Sequence, residues 1–332
     1  MGTKQKQSGM TLIEIMIALT LSLVLTGGVI QLFLASKKTF RMNEAMSAVQ
    51  ESGRFALDNI SRDLRMAGFQ GCADPGAVPS ESVVKNNSPT ANLLQSAVTG
   101  SEGTAASDSL TVQFASGNAA RLASNTDPVN ATITAQANAD NIAVNEVVMI
   151  ADCTSAHLVR ITAVANNVSD VTLTYGAAEN DLSQLSKAYG PASTQIMRFN
   201  SVTYSVADTG RTNSRGEAIF ALFRQGLNDA APVELVEGVE NFQIQYGERL
   251  ADGTVRFLDA DAAGLDMSRV QSVRLGLLLA AVNATSDQLD NNTYVLAGTS
   301  VAPEGSSAPV THPVDNRLRR AFNTTISLRN RR

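Results

Sequence analysis

The chain is predicted to have an α+β fold, one long N-terminal helix packed on an antiparallel β-sheet head. Three observations predict it. No charge occurs between Glu14 and Lys37, a stretch long enough to cross a bilayer as a helix, which takes roughly 20 apolar residues. From Ser36 to Ala67 apolar residues recur every three or four positions, the helical period. From Glu146 onward short β-rich runs follow one another, separated by Asp, Asn and Gly turns, with no alternating helical segments.

The chain opens with a polar leader, residues 1–9, carrying Lys4 and Lys6 and no acid. The apolar run that follows has no clean small-x-small cleavage site at its end, where Phe33-Leu34-Ala35 matches poorly, so an ordinary secretory signal does not account for it. A small residue, Gly9, precedes the run instead. One acid, Glu14, lies inside it. A carboxylate at a helix centre in the membrane costs about 2.5–3.5 kcal/mol on insertion scales, so Glu14 is expected to serve a partner cation.

Basic leader, Gly9, the apolar residue Met10 and Glu14 as the fifth residue after Gly9 together resemble the type IV pilin superfamily. The resemblance implies that a prepilin peptidase cuts between Gly9 and Met10 and methylates the amino terminus of Met10, where Phe is the usual residue. It implies that the leader stays in the cytoplasm with the head outside, an orientation that Lys4 and Lys6 before the span and Lys37, Lys38 and Arg41 after it leave open. It also implies that Glu14 pairs with the terminal ammonium of a neighbouring subunit and so sets axial register. The competing reading is a signal anchor with a chance Glu.

Residues 10–35 are thus expected to form the transmembrane half of the helix and residues 36–68 its amphipathic half. Met42, Met46, Val49, Ala56, Ile60, Leu64 and Ala67 fall on one stripe, with Lys38, Arg41, Glu44, Glu51, Arg54, Asp58, Arg62 and Asp63 on other faces. A rod from Thr11 to Ala67 would measure roughly 85 Å. Gly27-Gly28 and Gly53 are expected weak points, and Gly68 and Gly71 expected C-terminal caps. The run from Glu51 to Cys72 is similar to the matching stretch of PilW-type minor pilins. The J-type minor pseudopilin of type II secretion is the nearest alternative, sharing rod and head.

The head is expected to occupy residues 69–332. The chain has 332 residues, no Trp and 5% aromatic residues. Its formal charge of −5 becomes −7 once Lys4 and Lys6 leave with the leader, which argues against a general nucleic-acid binder. Its two cysteines, Cys72 and Cys153, are most simply a disulfide in an oxidising compartment, with two free thiols as the alternative. Zinc is poorly served, since His157 and His312 are the only histidines and no Cys-x-x-Cys accompanies them.

Residues 73–145 are rich in Ala, Ser, Asn, Thr and Gly and have Phe114 as their one aromatic, so they are expected to form surface loops with one or two strands, Ser109–Phe114 among them. Strands are expected at 147–150, 157–161, 171–175, 195–199, 218–223, 233–236, 242–246 and 270–278, and alternation of Phe242, Ile244 and Tyr246 with Gln243 and Gln245 predicts one buried sheet face. The last strand, around Phe322, Ile326 and Leu328, resembles a PilW or pseudopilin C-terminus. Arg317, Arg319, Arg320, Arg329, Arg331 and Arg332 surround it; they are expected to guard a solvated edge strand, an acidic-partner surface being the alternative.

No Gly-x-Ser-x-Gly elbow or phosphate-binding glycine loop occurs, which argues against an enzyme, and no cofactor is implied. Asp252, Asp259, Asp261 and Asp266 offer oxygens for Ca²⁺ but lack the spacing of a calcium loop and its final Glu, so Asp259, Asp261 and Asp266 form only a weak calcium candidate beside a solvated turn. The resemblance implies a minor pilin of the bacterial inner membrane that primes pilus assembly and ends near the fibre tip. Its implied partners are other minor pilins, the major pilin, the prepilin peptidase, the inner-membrane assembly machinery and a tip adhesin. A signal-anchored periplasmic enzyme or sensor would instead require an uncut leader and a working pocket.

Overall fold

A computed structural model describes residues 10–73, 80–85, 96–103, 107–127, 130–181 and 187–330. Helix α1 runs unbroken over Leu12–Met66, 55 residues, or about 80 Å. Thr11 caps its start. It ends where Ala67 leaves helical geometry and Gly68 and Gly71 both turn left-handed, with φ of 74° and 69°.

Among the described residues the head first supplies β1 (Ser80–Ser82), β2 (Val98–Ser101), β3 (Ser109–Ala115), β4 (Ala120–Arg121) and β5 (Thr132–Ala135). Next come β6 (Val147–Asp152), β7 (Ser155–Arg160), β8 (Ala163–Asn166), β9 (Val171–Thr174), β10 (Gln195–Thr212), β11 (Ala218–Gly226) and β12 (Val233–Glu237). The chain then forms β13 (Val239–Arg249), β14 (Val255–Leu258), β15 (Val270–Ala280), β16 (Tyr294–Leu296), β17 (Thr299–Pro303), β18 (Val310–His312) and β19 (Arg319–Ser327).

The largest sheet runs β1-β7-β6-β10-β11-β12, and β10 holds it together. The first residues of β10 pair with β4 and β6, its middle with β3, and its outer part with β11. A second sheet, β14-β13-β15-β19, is antiparallel throughout, and two smaller sheets are β16-β17-β18 and β5-β9-β8. Only β1 with β7 and β17 with β18 pair in parallel among the described strands.

The outer half of α1 presses Val49, Gly53, Ala56, Ile60 and Leu64 into the main core, against residues such as Val112, Tyr204, Leu222, Phe242, Leu277 and Ile326. Residues 10–44, by contrast, are exposed throughout. The head does not reach Met42, which stays 40% exposed despite lying on the predicted stripe.

Four expectations change. Gly53 is no hinge: a Cβ there would lie 2.5 Å from the Phe322 ring, so its missing side chain is what lets β19 approach the helix. The helix also passes through Gly27-Gly28 without a break. Residues 73–145 are not mainly surface loops, because their described part contributes β1 to β5 and buries Leu122, Ile133, Ala135 and Ile142 in a second core with Tyr175 and Tyr189. The β13 face carrying Gln243 is covered as well. Gln243 is buried, and β16 lies so close to β15 that a Cβ on Gly276 would meet Leu296 and Ala297 at 2.6 Å.

The fourth concerns arginine. Arg317 and Arg319 are buried, not solvated. Arg319 pairs with Glu240 at 2.6 Å, Asp315 at 2.8 Å and Asp290 at 3.3 Å, while Arg317 reaches Glu240 and Asp315 at 2.7 Å each. Burial would raise the Asp315 carboxyl, but hydrogen bonds from Arg319 and Arg317 outweigh it and hold it at about 2. Arg320 does stay exposed, over the Phe322 ring; Arg331 and Arg332 lie outside the described residues.

Candidate assembly interface

The N-terminal end of α1 is built from one reciprocal contact. The Thr11 hydroxyl accepts from the Glu14 amide at 3.4 Å, and the Glu14 carboxylate accepts from the Thr11 amide at 3.3 Å. The pattern Thr11-Leu12-Ile13-Glu14 is a capping box that the sequence displays and that the pilin resemblance alone overlooks. It starts the helix two residues after Met10 and leaves Glu14 exposed one turn in. Gly9, the other side of the expected cleavage bond, lies outside the described residues, as do Lys4 and Lys6.

Beyond Glu14 the helix presents apolar side chains on every side. Leu12, Leu23 and Leu32 are each at least 74% exposed, as are no comparable side chains of the head core. Such a surface needs lipid or other helices around it. Farther out, Phe55 remains 51% exposed on the side away from the head, over a shallow depression shared with Ser47, Gln50, Glu51, Arg54 and Asp58.

The head grips the rod at several heights. Asp63 accepts a hydrogen bond from the buried Tyr204 hydroxyl at 2.7 Å and lies 3.4 Å from Arg224. Lower down, Lys38 meets Asp287 at 2.5 Å. At the top, Cys72 and Cys153 form a disulfide, Cα atoms 4.9 Å apart, tying the end of α1 to the turn between β6 and β7. Its closed loop, with a sequence separation of 81, constrains the unfolded chain by about 4–5 kcal/mol in the chain-entropy account.

The acids considered for calcium disperse. Asp266 accepts from the Ser268 amide at 2.9 Å and Asp252 from the Thr254 amide at 2.9 Å, while Asp259 accepts from Gln245. Among the described residues no group of three or more His, Cys, Asp or Glu side chains is placed to hold a metal ion. Asp259 and Asp261 instead act on Glu102 and Asp108, two acids sequence reasoning passed over. Burial first, then Asp108, Asp259 and Asp261, push the Glu102 carboxyl up to about 7. Asp108 is raised to about 6, chiefly by burial, although it accepts from the Gly103 and Ile244 amides.

Comparison with known proteins accords with this arrangement. Residues 4–30 match the profile of the prokaryotic N-terminal methylation motif. Residues 203–330, the stretch from within β10 through β19, match that of type IV pilus-assembly protein W. No curated protein matches the chain. Among solved structures, a type IV-like pilin from Thermus thermophilus aligns over 87% of this chain and 96% of its own length, at 13% identity and a TM-score of 0.35, too loose a likeness to carry detail across. With its methylation motif, long apolar helix and antiparallel head, the chain is similar to type IV pilin-like proteins. The C-terminal part of its head, residues 203–330, is similar to the PilW type, a likeness to minor-pilin-like proteins.

Proposed function

We propose that this chain is a minor pilin that helps prime assembly of a type IV pilus and ends at or near the fibre tip, with a structural and not a catalytic role. The observation that supports it most is the contrast along α1: the head buries it only from about Ala45 upward, while residues 10–44 are exposed, Lys38 alone among them forming an ion pair with the described part of the head. In this reading residues 10–35 anchor the chain in the inner membrane, residues 36–68 join them to a periplasmic head, and the bare helix later packs among helices of other minor pilins and the major pilin. The prepilin peptidase cuts at Gly9-Met10 and methylates Met10, and the assembly machinery then extracts the subunit, a tip adhesin being the candidate partner at the outer end.

Glu14 carries the register. Among the described residues its carboxylate holds only the Thr11 amide, against which a neighbour's ammonium brings a full charge. A buried carboxylate left unpaired costs about 3–5 kcal/mol, enough to reject a subunit entering one turn out of step. Glu14→Ala is expected to leave membrane insertion intact and to abolish incorporation into fibres, read by immunoblot of sheared pili. Normal incorporation would sink the pairing. The companion measurement is the mass of the mature N-terminus with and without the prepilin peptidase, expected to begin at Met10 only when the enzyme is present. Deletion of the gene should reduce surface pili; intact piliation with lost protein secretion would move the chain to the J-type pseudopilins.

A further inference from the structure

The lowest part of the head stands level with the point where α1 leaves the apolar span. Contacts climb the rod and β19 together: Arg320 touches Met46, Phe322 lies on Gly53, and Asn330 reaches Met66 and Ala67. The segment that leaves β15, residues 281–290, therefore lies at the membrane-proximal end of the head. Its tip meets the helix at Lys38, three residues past Ala35, through Asp287.

That tip is stiff and bears an apolar side chain. The Asp290 amide donates to the Asp315 carbonyl, its carboxylate accepts from Asn292 and the Tyr294 hydroxyl, and Arg319 lies 3.3 Å away. The Thr285 and Ser286 amides both donate to the Asn316 carbonyl. Between these fixed points Leu289 is 55% exposed. Beside it the helix carries three exposed bases, Lys37, Lys38 and Arg41, within two turns of the span.

We propose that the 287–289 tip is a foot that rests on the bilayer, Leu289 entering the interfacial layer while Lys37 and Arg41 engage anionic lipid phosphates and Lys38 holds Asp287. Bases flanking a span and an apolar side chain on a fixed loop are the two features that hold a surface to the headgroup region. The foot fixes the head's tilt over the membrane before extraction, and leaving the bilayer would release it. This rests on residues 10–35 being the membrane anchor.

The full chain, reconstituted in vesicles containing headgroup- and acyl-chain-nitroxide lipids, tests it with a fluorophore on Leu289→Cys, on Leu21→Cys within the span, or on Val168→Cys. Val168 is fully exposed on the part of the head that the disulfide ties to the far end of α1. Leu289 should be quenched several-fold more than Val168, and more in vesicles of phosphatidylcholine and phosphatidylglycerol in equal parts than in phosphatidylcholine alone. Replacing Lys37 and Arg41 together by Gln, which leaves the Lys38–Asp287 pair in place, should erase that lipid dependence. Quenching of Leu21 with Leu289 no different from Val168 would overturn the foot and leave the anchor standing. Absence of quenching at Leu21 would remove the anchor and the foot with it. Equal quenching of Leu289 in both lipids would overturn the role given to the bases.

Discussion

At the scale of single residues, the groups that define this chain are carboxylates in unlike surroundings. Glu14 is exposed and serves as a cap, Asp63 is paired to the head, and Asp315 is buried between arginines, whereas Glu102 is partly buried among other acids. Because the folded Glu102 pKa is raised from 4.5 to about 7, its contribution is fully present below pH 4.5 and is lost as pH rises through about 7. Glu102→Gln removes that loss. The variant should match the parent near pH 4.5 and gain on it as pH climbs to 8, by about 1 kcal/mol once solvent screening at a partly exposed site is allowed for. Thermal melts of both proteins at pH 5 and pH 8 check this, and a pH-independent difference would refute it. Glu14 stands out in the sequence as the one acid of the leader pattern and its apolar run. Glu102 and Asp108 do not, since burial is what chiefly raises them and Asp259 and Asp261, which add to it, come from a distant loop of the chain. Likewise Arg319 looked like a solvated base until Glu240 and Asp290, from other segments, joined the neighbouring Asp315 to bury it.

At the scale of elements, the helix was legible because its signals are local: an uncharged span, a 3.6-residue stripe, a glycine pair at the end. The long strands were legible from alternation and β-branched runs, so β3, β6, β10, β11, β13, β15 and β19 begin within a few residues of where the sequence places them. What failed were elements built from small side chains. β5 and β8 carry Thr, Ala, Asn and single Ile or Val residues, a composition shared with loops, and only their pairing with β9 turns them into a sheet. Gly53 is the sharpest case. In an isolated helix Gly53→Ala would gain about 1 kcal/mol, yet here the new methyl must displace the Phe322 ring, so little net gain is expected. Gly53→Leu overpacks the contact and should destabilise by about 1–3 kcal/mol. Adding Phe322→Ala should recover much of that loss, a coupling that a urea-denaturation double-mutant cycle measures; strictly additive effects would show that the ring is not what Gly53 makes room for.

At the scale of the whole molecule, the chain is a rod of which the head owns only part. Residues 10–35 are exposed throughout, whereas Val49, Ala56, Ile60 and Leu64 are each at most 4% exposed within the main core. Nearly all intramolecular stabilisation of α1 therefore lies beyond residue 44, and the inner half depends on lipid or neighbouring helices to stay helical. A chain beginning at Ser36 should accordingly be soluble, carry the Cys72–Cys153 disulfide, and melt within about 2 °C of the full protein in detergent, since only exposed residues are removed. Hydrogen exchange should divide the helix that remains: amides before Ala45 fast, those from Val49 to Leu64 as slow as the β13 and β15 core. Aggregation of the shortened chain, or rapid exchange through Leu64, would mean that the membrane half stabilises the head through contacts the structure does not contain. Protection confined to 45–66 would instead make the two halves of α1 separable, the outer one part of a self-sufficient head and the inner one left free to exchange lipid for neighbouring subunits during assembly.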